Sequence, residues 1–315
     1  MSQFKIINDD CLIAMQDIAD GSVDMVLCDL PYGTMKNAGL DGWANQTTAW
    51  DVCIDQKELL EQYNRILRFN GALVLFSQEP FTSKLITEVH GNLPFSYRYT
   101  WLKDHFANAL IAKKSPVNYT EDVCVFFKKY DTLVQHPLRE YTKLIILYVG
   151  KSLKDINKDL GHRRSEHFFY VESTQFGICT EQTYNELIDK YNIDKMDTFM
   201  TYQEMKVIDS RFVRRFILAE NSKFKSNVLQ YKKDYEGFHP TQKPVKLLED
   251  LIKTYTNEGE TVMDNTMGSG STGVAAINTS RRFIGIEQDK AYFEIANERI
   301  NYAVSQMKED VFSYG

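Results

Sequence analysis

Val23-Asp24-Met25-Val26-Leu27-Cys28-Asp29-Leu30-Pro31-Tyr32-Gly33 is the stretch on which the reading of this chain turns. Val23, Met25, Val26 and Leu27 have the apolar character of a buried strand, and Asp29 stands where that strand should end. In open α/β sheets ligands bind beyond the carboxyl ends of strands, which places Asp29 at an active-site edge. Pro31 biases Leu30 toward an extended conformation and so fixes where the Leu30 carbonyl points. The Asp29 carboxylate and the Leu30 carbonyl are both acceptors, and Tyr32 offers a flat ring. Together they suit a planar group bearing an NH2, such as an amino nucleobase. Read alone, the same residues are also an ordinary strand followed by a Pro-Tyr turn.

Outward from this stretch, strands and helices alternate. Phe4-Lys5-Ile6-Ile7 reads as a strand, and Leu12, Ile13, Met15 and Ile18 as a helix closed by Asp20-Gly21. Residues 33–50, rich in Gly, Asn and Thr, read as a long loop beside the site. A helix is expected over Gln56–Arg68, ended by Asn70-Gly71. A strand over Ala72–Phe76, a helix over Pro80–Val89 and strands over Tyr97–Lys103 and Val123–Lys128 follow. Strand–helix alternation predicts an α/β sheet with crossover connections.

The texture changes near Tyr130. Ser152–Gly161 reads as a short amphipathic helix with a Gly stop, and the basic stretch His162-Arg163-Arg164-Ser165-Glu166-His167-Phe168-Phe169 follows in the manner of a helix-turn-helix. Thr183 and Glu186 have the spacing of a capping box. Arg211, Arg214, Arg215, Lys223, Lys225, Lys232 and Lys233 are interleaved with Phe212, Phe216, Phe224 and Tyr231, a mixture suited to nucleic acid. Arg163, Arg164, Arg211, Arg214 and Arg215 are the candidate DNA contacts. His162 and His167 are five apart, off the spacing of a helical ligand pair, so no metal site is expected.

The α/β pattern returns with His239-Pro240-Thr241-Gln242-Lys243-Pro244, a turn into a helix carrying Val245, Leu247, Leu248, Leu251 and Ile252. The strand Glu260–Asp264 leads into the glycine loop Asn265-Thr266-Met267-Gly268-Ser269-Gly270-Ser271-Thr272-Gly273. A helix, a second strand over Arg282–Ile286, Glu287 and a last helix from about Tyr292 complete a βαβ unit. Such a loop sets bare N–H groups against a ligand, and an acid after the next strand accepts from ribose hydroxyls. The loop lacks the Gly-Lys-Ser/Thr ending of a phosphate-binding P-loop. Its Gly268-x-Gly270-x-x-Gly273 spacing leaves a nicotinamide dinucleotide open at this point.

The 315 residues, 43% hydrophobic and 25% charged, have the composition of a soluble globular protein. No apolar run is long enough for a membrane span, and Met1–Lys5 has no signal-peptide layout. Five scattered cysteines argue for reduced thiols in a cytoplasmic protein. The net charge of −6 is unevenly spread. Between Arg139 and Lys233 there are 17 Lys/Arg against 13 Asp/Glu, leaving 20 against 30 elsewhere. A basic middle in an acidic frame suits a segment that meets phosphates.

Taken together, these motifs resemble the DNA amino-methyltransferase family in its beta-type order, catalytic motif first and cofactor loop last. Asp29-Leu30-Pro31-Tyr32 is similar to the family's D-P-P-Y, Asp264–Thr272 to its D-P-F-x-G-S-G-T-T, and His239–Pro244 to its H-P-T-x-K-P. Asn8-Asp9-Asp10-Cys11 stands where the family has a G-D-C-like cofactor contact. The resemblance covers residues 1–130 and 236–315. Leu30 replaces a proline but supplies the same carbonyl, Ser271 replaces Thr, and Asn265-Thr266 replace Pro-Phe, removing the family's aromatic contact there.

The resemblance implies a Rossmann-like, doubly wound, mostly parallel sheet with an inserted, mainly helical target-recognition segment. Residues 1–135 would be the catalytic half, 136–235 the recognition segment and 236–315 the cofactor half. It implies S-adenosylmethionine as cofactor, held by Asp10, Cys11, His239, Thr241, Gln242, Lys243, Asp264, Thr266, Met267, Gly268, Ser269, Gly270, Ser271, Thr272 and Glu287. Asp29, Leu30, Pro31 and Tyr32 would carry methyl transfer to an extruded base of double-stranded DNA. Asp29 rather than Ser favours adenine over the cytosine amine. No Pro-Cys pair is present for methylation at cytosine carbon. A homodimer and a cognate restriction enzyme stay open as partners. Two other classes compete, a nicotinamide oxidoreductase and a non-catalytic DNA-binding protein.

Overall fold

The computed structural model describes residues 3–31, 54–107, 112–129, 136–234 and 242–313. Tyr32, His239, Thr241 and the loop expected over 33–50 lie outside the described residues. The chain forms two compact units, residues 1–128 with 214–315, and residues 129–213.

The first unit is built on β1 (Phe4–Ile7), β2 (Val23–Asp29), β3 (Leu67–Ser77), β4 (Phe95–Ala107), β5 (Asn118–Phe127), β6 (Val228–Gln230), β7 (Thr261–Asp264) and β8 (Arg282–Ile286). They form one sheet in the order β1-β8-β7-β2-β3-β5-β4-β6. β5 runs antiparallel to β3 and β4, and the other neighbours are parallel. The mixed α/β fold with a mostly parallel sheet is therefore as expected.

The apolar runs are continuous because both sheet faces are covered. Met25, Leu27, Val74, Phe76, Val123 and Val125 pack with α9 (Val245–Tyr255), α10 (Ser271–Asn278) and α11 (Lys290–Ser313). Val26, Cys28, Leu73, Leu75, Cys124 and Phe126 face the other way. They pack with α1 (Cys11–Ala14), α2 (Gln56–Ile66) and α3 (Phe81–Thr87). Each fully buried side chain of this size contributes roughly 1.5–3 kcal/mol. From β7 the chain passes through α10 to β8 on one side, and from β2 through α2 to β3 on the other. The β7–β2 junction is thus a topological switch point, where such sheets open a crevice.

Four local expectations are corrected. The first helix is a single turn followed by a 3-10 segment, Met15–Asp17. Asn70-Gly71 does not end α2, which stops at Ile66. β3 starts at Leu67, and Asn70 takes φ +57° inside a bulge where Val23 pairs with Leu67 but Met25 with Ala72. A Cβ at Gly71 would come within 2.8 Å of the Arg68 carbonyl oxygen, which explains the glycine. β4 and β5 run longer than their apolar centres. The inserted unit ends at Val213 rather than 235, because Val228–Gln230 joins the sheet against β4 and Ile217 N–H donates to the Thr254 carbonyl.

The second unit is helical, with α4 (Leu138–Val149), α5 (Leu153–Leu160), α6 (Glu166–Phe169), α7 (Glu181–Tyr191) and α8 (Tyr202–Ser210). They enclose a core of Leu138, Tyr141, Ile145, Phe168, Tyr184, Leu187 and Met205. The helix-turn-helix reading fails because α6 is one turn and Phe168 and Phe169 are drawn into this core. The Thr183–Glu186 capping box is also absent. Thr180 caps α7, and Glu186 instead accepts from His162 and Arg164. A capping box does form at Thr201 and Glu204, a Thr-x-x-Glu visible in the sequence. Residues 129–213 carry 12 Lys/Arg against 13 Asp/Glu, so the basic excess belongs to residues 214–233 of the first unit. Among the described residues no helix is long and apolar enough to cross a membrane. The four described cysteines are buried free thiols.

Candidate active site at the carboxyl ends of two adjacent strands

β2 and β7 are neighbours, with Met25 opposite Val262 and Val26 opposite Met263. Asp29 therefore leaves the sheet beside the glycine loop. Thr266 Oγ1 donates to the Asp29 carbonyl at 3.1 Å, and Cys28 Sγ–H donates to Asn265 Oδ1 at 2.8 Å. Two segments more than 230 residues apart in sequence thus share one edge. Leu30 is buried and Pro31 partly exposed.

The glycine loop is held from inside. The Asp264 carboxylate accepts from Thr266 N–H at 3.0 Å and from Thr272 Oγ1 at 2.6 Å, clasping both ends of the loop. Burial, only partly offset by these donors, pushes the Asp264 carboxyl up to about 7. Gly270 takes φ +81°, and a Cβ there would lie 2.9 Å from the Ala296 Cβ of α11. Arg299 of α11 donates to the Ser269 carbonyl at 2.7 Å and to Ser271 Oγ at 3.2 Å. Met267, Ser269, Ser271 and Thr272 are buried in this packing, while Thr266 and Gly268 stay partly open.

The remaining rim comes from β1 and β8. Glu287 follows β8, where its Oε2 accepts from Gly268 N–H and its Oε1 from Asp289 N–H, both at 2.8 Å. Burial raises its carboxyl above the usual range. Asn8 Nδ2 donates to the Glu287 carbonyl at 2.8 Å, tying the first motif to this corner. Asp10 caps α1 through Leu12 N–H. Cys11 is buried close to Asn265, and burial pushes its thiol up to about 11. Asn265 Oδ1 also accepts from Tyr63 OH at 2.6 Å. The polar side chain that replaces the family's proline therefore joins a buried cluster with Cys28 and Tyr63.

Lys243 is not part of that rim. Its ammonium is hydrogen-bonded to Asp29 Oδ2 and lies 3.0 Å from Glu121 Oε1. Lys103 Nζ holds Glu121 Oε2 at 2.7 Å. Sequence reasoning missed both Glu121 and Lys103. The signal was strand alternation, which puts Lys103 on one face with Tyr99 and Trp101, and Glu121 on one face with Val123 and Val125. Gln242 has its amide atoms shielded from solvent, with no hydrogen-bond partner among the described residues.

The five arginines proposed for DNA divide. Arg214 lies over the Phe127 ring at 3.6 Å and donates to Ser96, and Arg215 pairs with Glu260 at 3.0 Å. Ser96, Phe127 and Glu260 are at the sheet edge opposite Asp29, so Arg214 and Arg215 are not brought to the site. Arg163 and Arg164 are exposed on the helical unit, paired with Glu166 and Glu186, and Arg211 is also exposed there.

Comparison with known proteins agrees with this fold. Residues 23–298 match the DNA methylase family. A stretch of 132 residues, 42% of the chain, is 31% identical to the type II methyltransferase M2.DpnII of Streptococcus pneumoniae, and spans only 44% of that relative's length. The DNA adenine methyltransferase YhdJ of Escherichia coli (strain K12) is 25% identical over 312 residues, 97% of this chain and 85% of that protein. In fold, the chain superposes on the crystal structure of the M1.HpyAVI–SAM complex with a TM-score of 0.55 at 18% identity, covering 95% of this chain and 99% of that one. With Asp29 and the glycine loop side by side at one switch point and the family match running across both sides of the insert, this chain belongs to the DNA methylase family.

Proposed function

We propose that this protein transfers a methyl group from S-adenosylmethionine to the exocyclic amine of an adenine turned out of duplex DNA. The observation that carries this reading is the adjacency of Asp29 and the glycine loop across the β2–β7 pair. One site can then hold an amine acceptor and a methyl donor within reach of each other. The name of YhdJ as an adenine enzyme supports the choice of base.

The rim residues fit a nucleoside sulfonium. A carboxylate has about four acceptor positions, and Glu287 spends two on Gly268 and Asp289. Remaining acceptor capacity on Glu287 would suit a ribose diol, and the partly open Thr266 and Gly268 line the same corner. When bound, S-adenosylmethionine supplies an activated methyl group. The chain's own part is to prepare the amine. The adenine amine is a poor nucleophile because its lone pair is delocalised into the ring. Asp29 accepts one of its N–H groups and the Leu30 carbonyl the other, drawing the nitrogen toward tetrahedral geometry and stabilising the charge that develops on it. Holding amine and donor at one strand edge supplies proximity. The base must leave the stack to reach the strand ends. Arg163, Arg164 and Arg211, exposed on the helical unit, are proposed to contact phosphates.

The test is incorporation of labelled methyl groups from S-adenosylmethionine into duplex DNA, followed by base analysis. N6-methyladenine is expected. N4-methylcytosine would reassign the base. DNA binding without incorporation, or thermal stabilisation by NAD and not by S-adenosylmethionine, would overturn the reading.

A further inference from the structure

We infer that Lys243, held between Asp29 and Glu121, is a positioning residue that keeps the Asp29 carboxylate ionised for the target amine. The inference rests on the methyl transfer proposed above and concerns how its acceptor is prepared.

A row of charges crosses four strands on one face of the sheet. Asp29 is opposite Phe76 on β3, and Phe76 is opposite Val123 on β5. Glu121, two residues away on β5, is opposite Trp101 on β4, with Lys103 two residues further along that strand. Strand alternation turns all of these side chains to the same face. Lys243, just ahead of α9, spans the gap, with its Nζ 5.1 Å from the Phe76 ring centre. Its ammonium contacts Asp29 and Glu121 together, and Lys103 closes the row 5.2 Å from the Trp101 ring.

The row is shielded everywhere except at Asp29. Side-chain exposure is 6% for Lys103, 7% for Glu121 and 9% for Lys243, but 23% for Asp29. Two ammonium and two carboxylate groups make it neutral as a whole. Buried ion pairs of this kind add little stability over apolar residues of the same volume, so stability is a weak reason for them. Their effect on Asp29 is direct. Burial would lower the Lys243 ammonium, yet the Asp29 and Glu121 carboxylates outweigh burial and hold it above the usual lysine range. Burial would raise Glu121, and Lys243 with Lys103 pulls it below the usual carboxylate range. Lys233 and Asp104 lie near the Lys103 end and Asp264 near Asp29. With Lys243 charged, Asp29 can only accept hydrogen bonds, as polarising an amine requires. With Lys243 removed, Asp29 and Glu121 become neighbouring carboxylates with no ammonium between them, and one of them takes up a proton.

The experiment is the pH dependence of kcat for methyl incorporation by the full-length wild type, Lys243→Met, Lys243→Arg and Glu121→Gln. In Lys243→Met the acid limb moves up by about one pH unit or more, and kcat near neutral pH falls about 100-fold, with partial recovery at alkaline pH. Lys243→Arg restores the wild-type limb. Glu121→Gln keeps the Lys243–Asp29 pair while removing the competing carboxylate, and keeps the limb at or below its wild-type position. A folded Lys243→Met with an unmoved limb, or a loss confined to KM for DNA, overturns the inference. Should Lys243→Met fail to fold, Glu121→Gln decides, since a limb that rises there contradicts the assigned direction. Inactive wild-type protein overturns the functional reading itself, whereas active wild type with unmoved limbs overturns only the role of Lys243.

Discussion

The α/β unit and the helical unit use charge in opposite ways. In the first, Asp29, Lys243, Glu121 and Lys103 are linked across a sheet face, and Asp264 and Arg299 clasp a loop from inside. In the second, most charges lie outside and pair over short distances, as in Lys143 with Glu140, Lys151 with Asp159 and Arg163 with Glu166. Exposed pairs are screened by water and salt and hold little. The buried groups of the α/β unit cannot ionise or move without consequence for the site. The difference teaches that catalysis and donor binding should depend on the first unit, and that the fold of the second should tolerate changes to its exposed charges but not to its core.

The largest expected effect is on stability. Phe168→Ala empties the centre of the helical core and should destabilise that unit by about 3–5 kcal/mol. S-adenosylmethionine binding, measured by calorimetry at low temperature, should persist. Its loss would break the comparison. Gly270→Ala is the counterpart in the α/β unit. A side chain at φ +81°, 2.9 Å from Ala296, should cost about 2–4 kcal/mol, and here donor binding should weaken with stability.

Asp264 provides a pH test. The folded chain holds a proton at this carboxyl up to about pH 7, while the unfolded chain releases it near its ordinary value of 3.8. Its contribution is therefore fully present below about pH 4 and is lost as pH rises through about 7. Urea melts between pH 4 and 8 should show a decline that Asp264→Asn flattens, by on the order of 1–3 kcal/mol. A parallel decline in the variant would contradict the assignment. The smallest effect is expected at the helical surface. The double variant Arg163→Ala, Arg164→Ala should leave the melting temperature in place, weaken duplex binding several-fold and reduce the salt slope by about 1–2. An unchanged salt slope would remove these residues from the DNA.

The same contrast governs what the sequence could reveal. Asp29 and the glycine loop were legible because each motif is local, a strand end followed by a backbone constraint. Their adjacency was the step that only the sheet could supply. Lys243 was assigned to the cofactor because nothing in the sequence ties it to a carboxylate 214 residues away. Glu121 and Lys103 carry no motif, although alternation places both on the same strand faces as buried aromatic and β-branched residues. In the helical unit the left-handed Gly161 ends α5, as its place in the sequence predicts. The basic residues after it drew more weight than Phe168 and Phe169, whose burial decides the local fold. Arg214 and Arg215 meet the other end of the sheet, which charge composition does not reveal.

The central claim is that Asp29 and the glycine loop are two halves of one site, and Asp29→Ala in a paired assay tests it most directly. Calorimetry should find S-adenosylmethionine binding within about threefold of wild type, while methyl incorporation into duplex DNA falls at least ~1,000-fold. Normal incorporation by Asp29→Ala, or loss of donor binding in proportion to activity, would contradict the account.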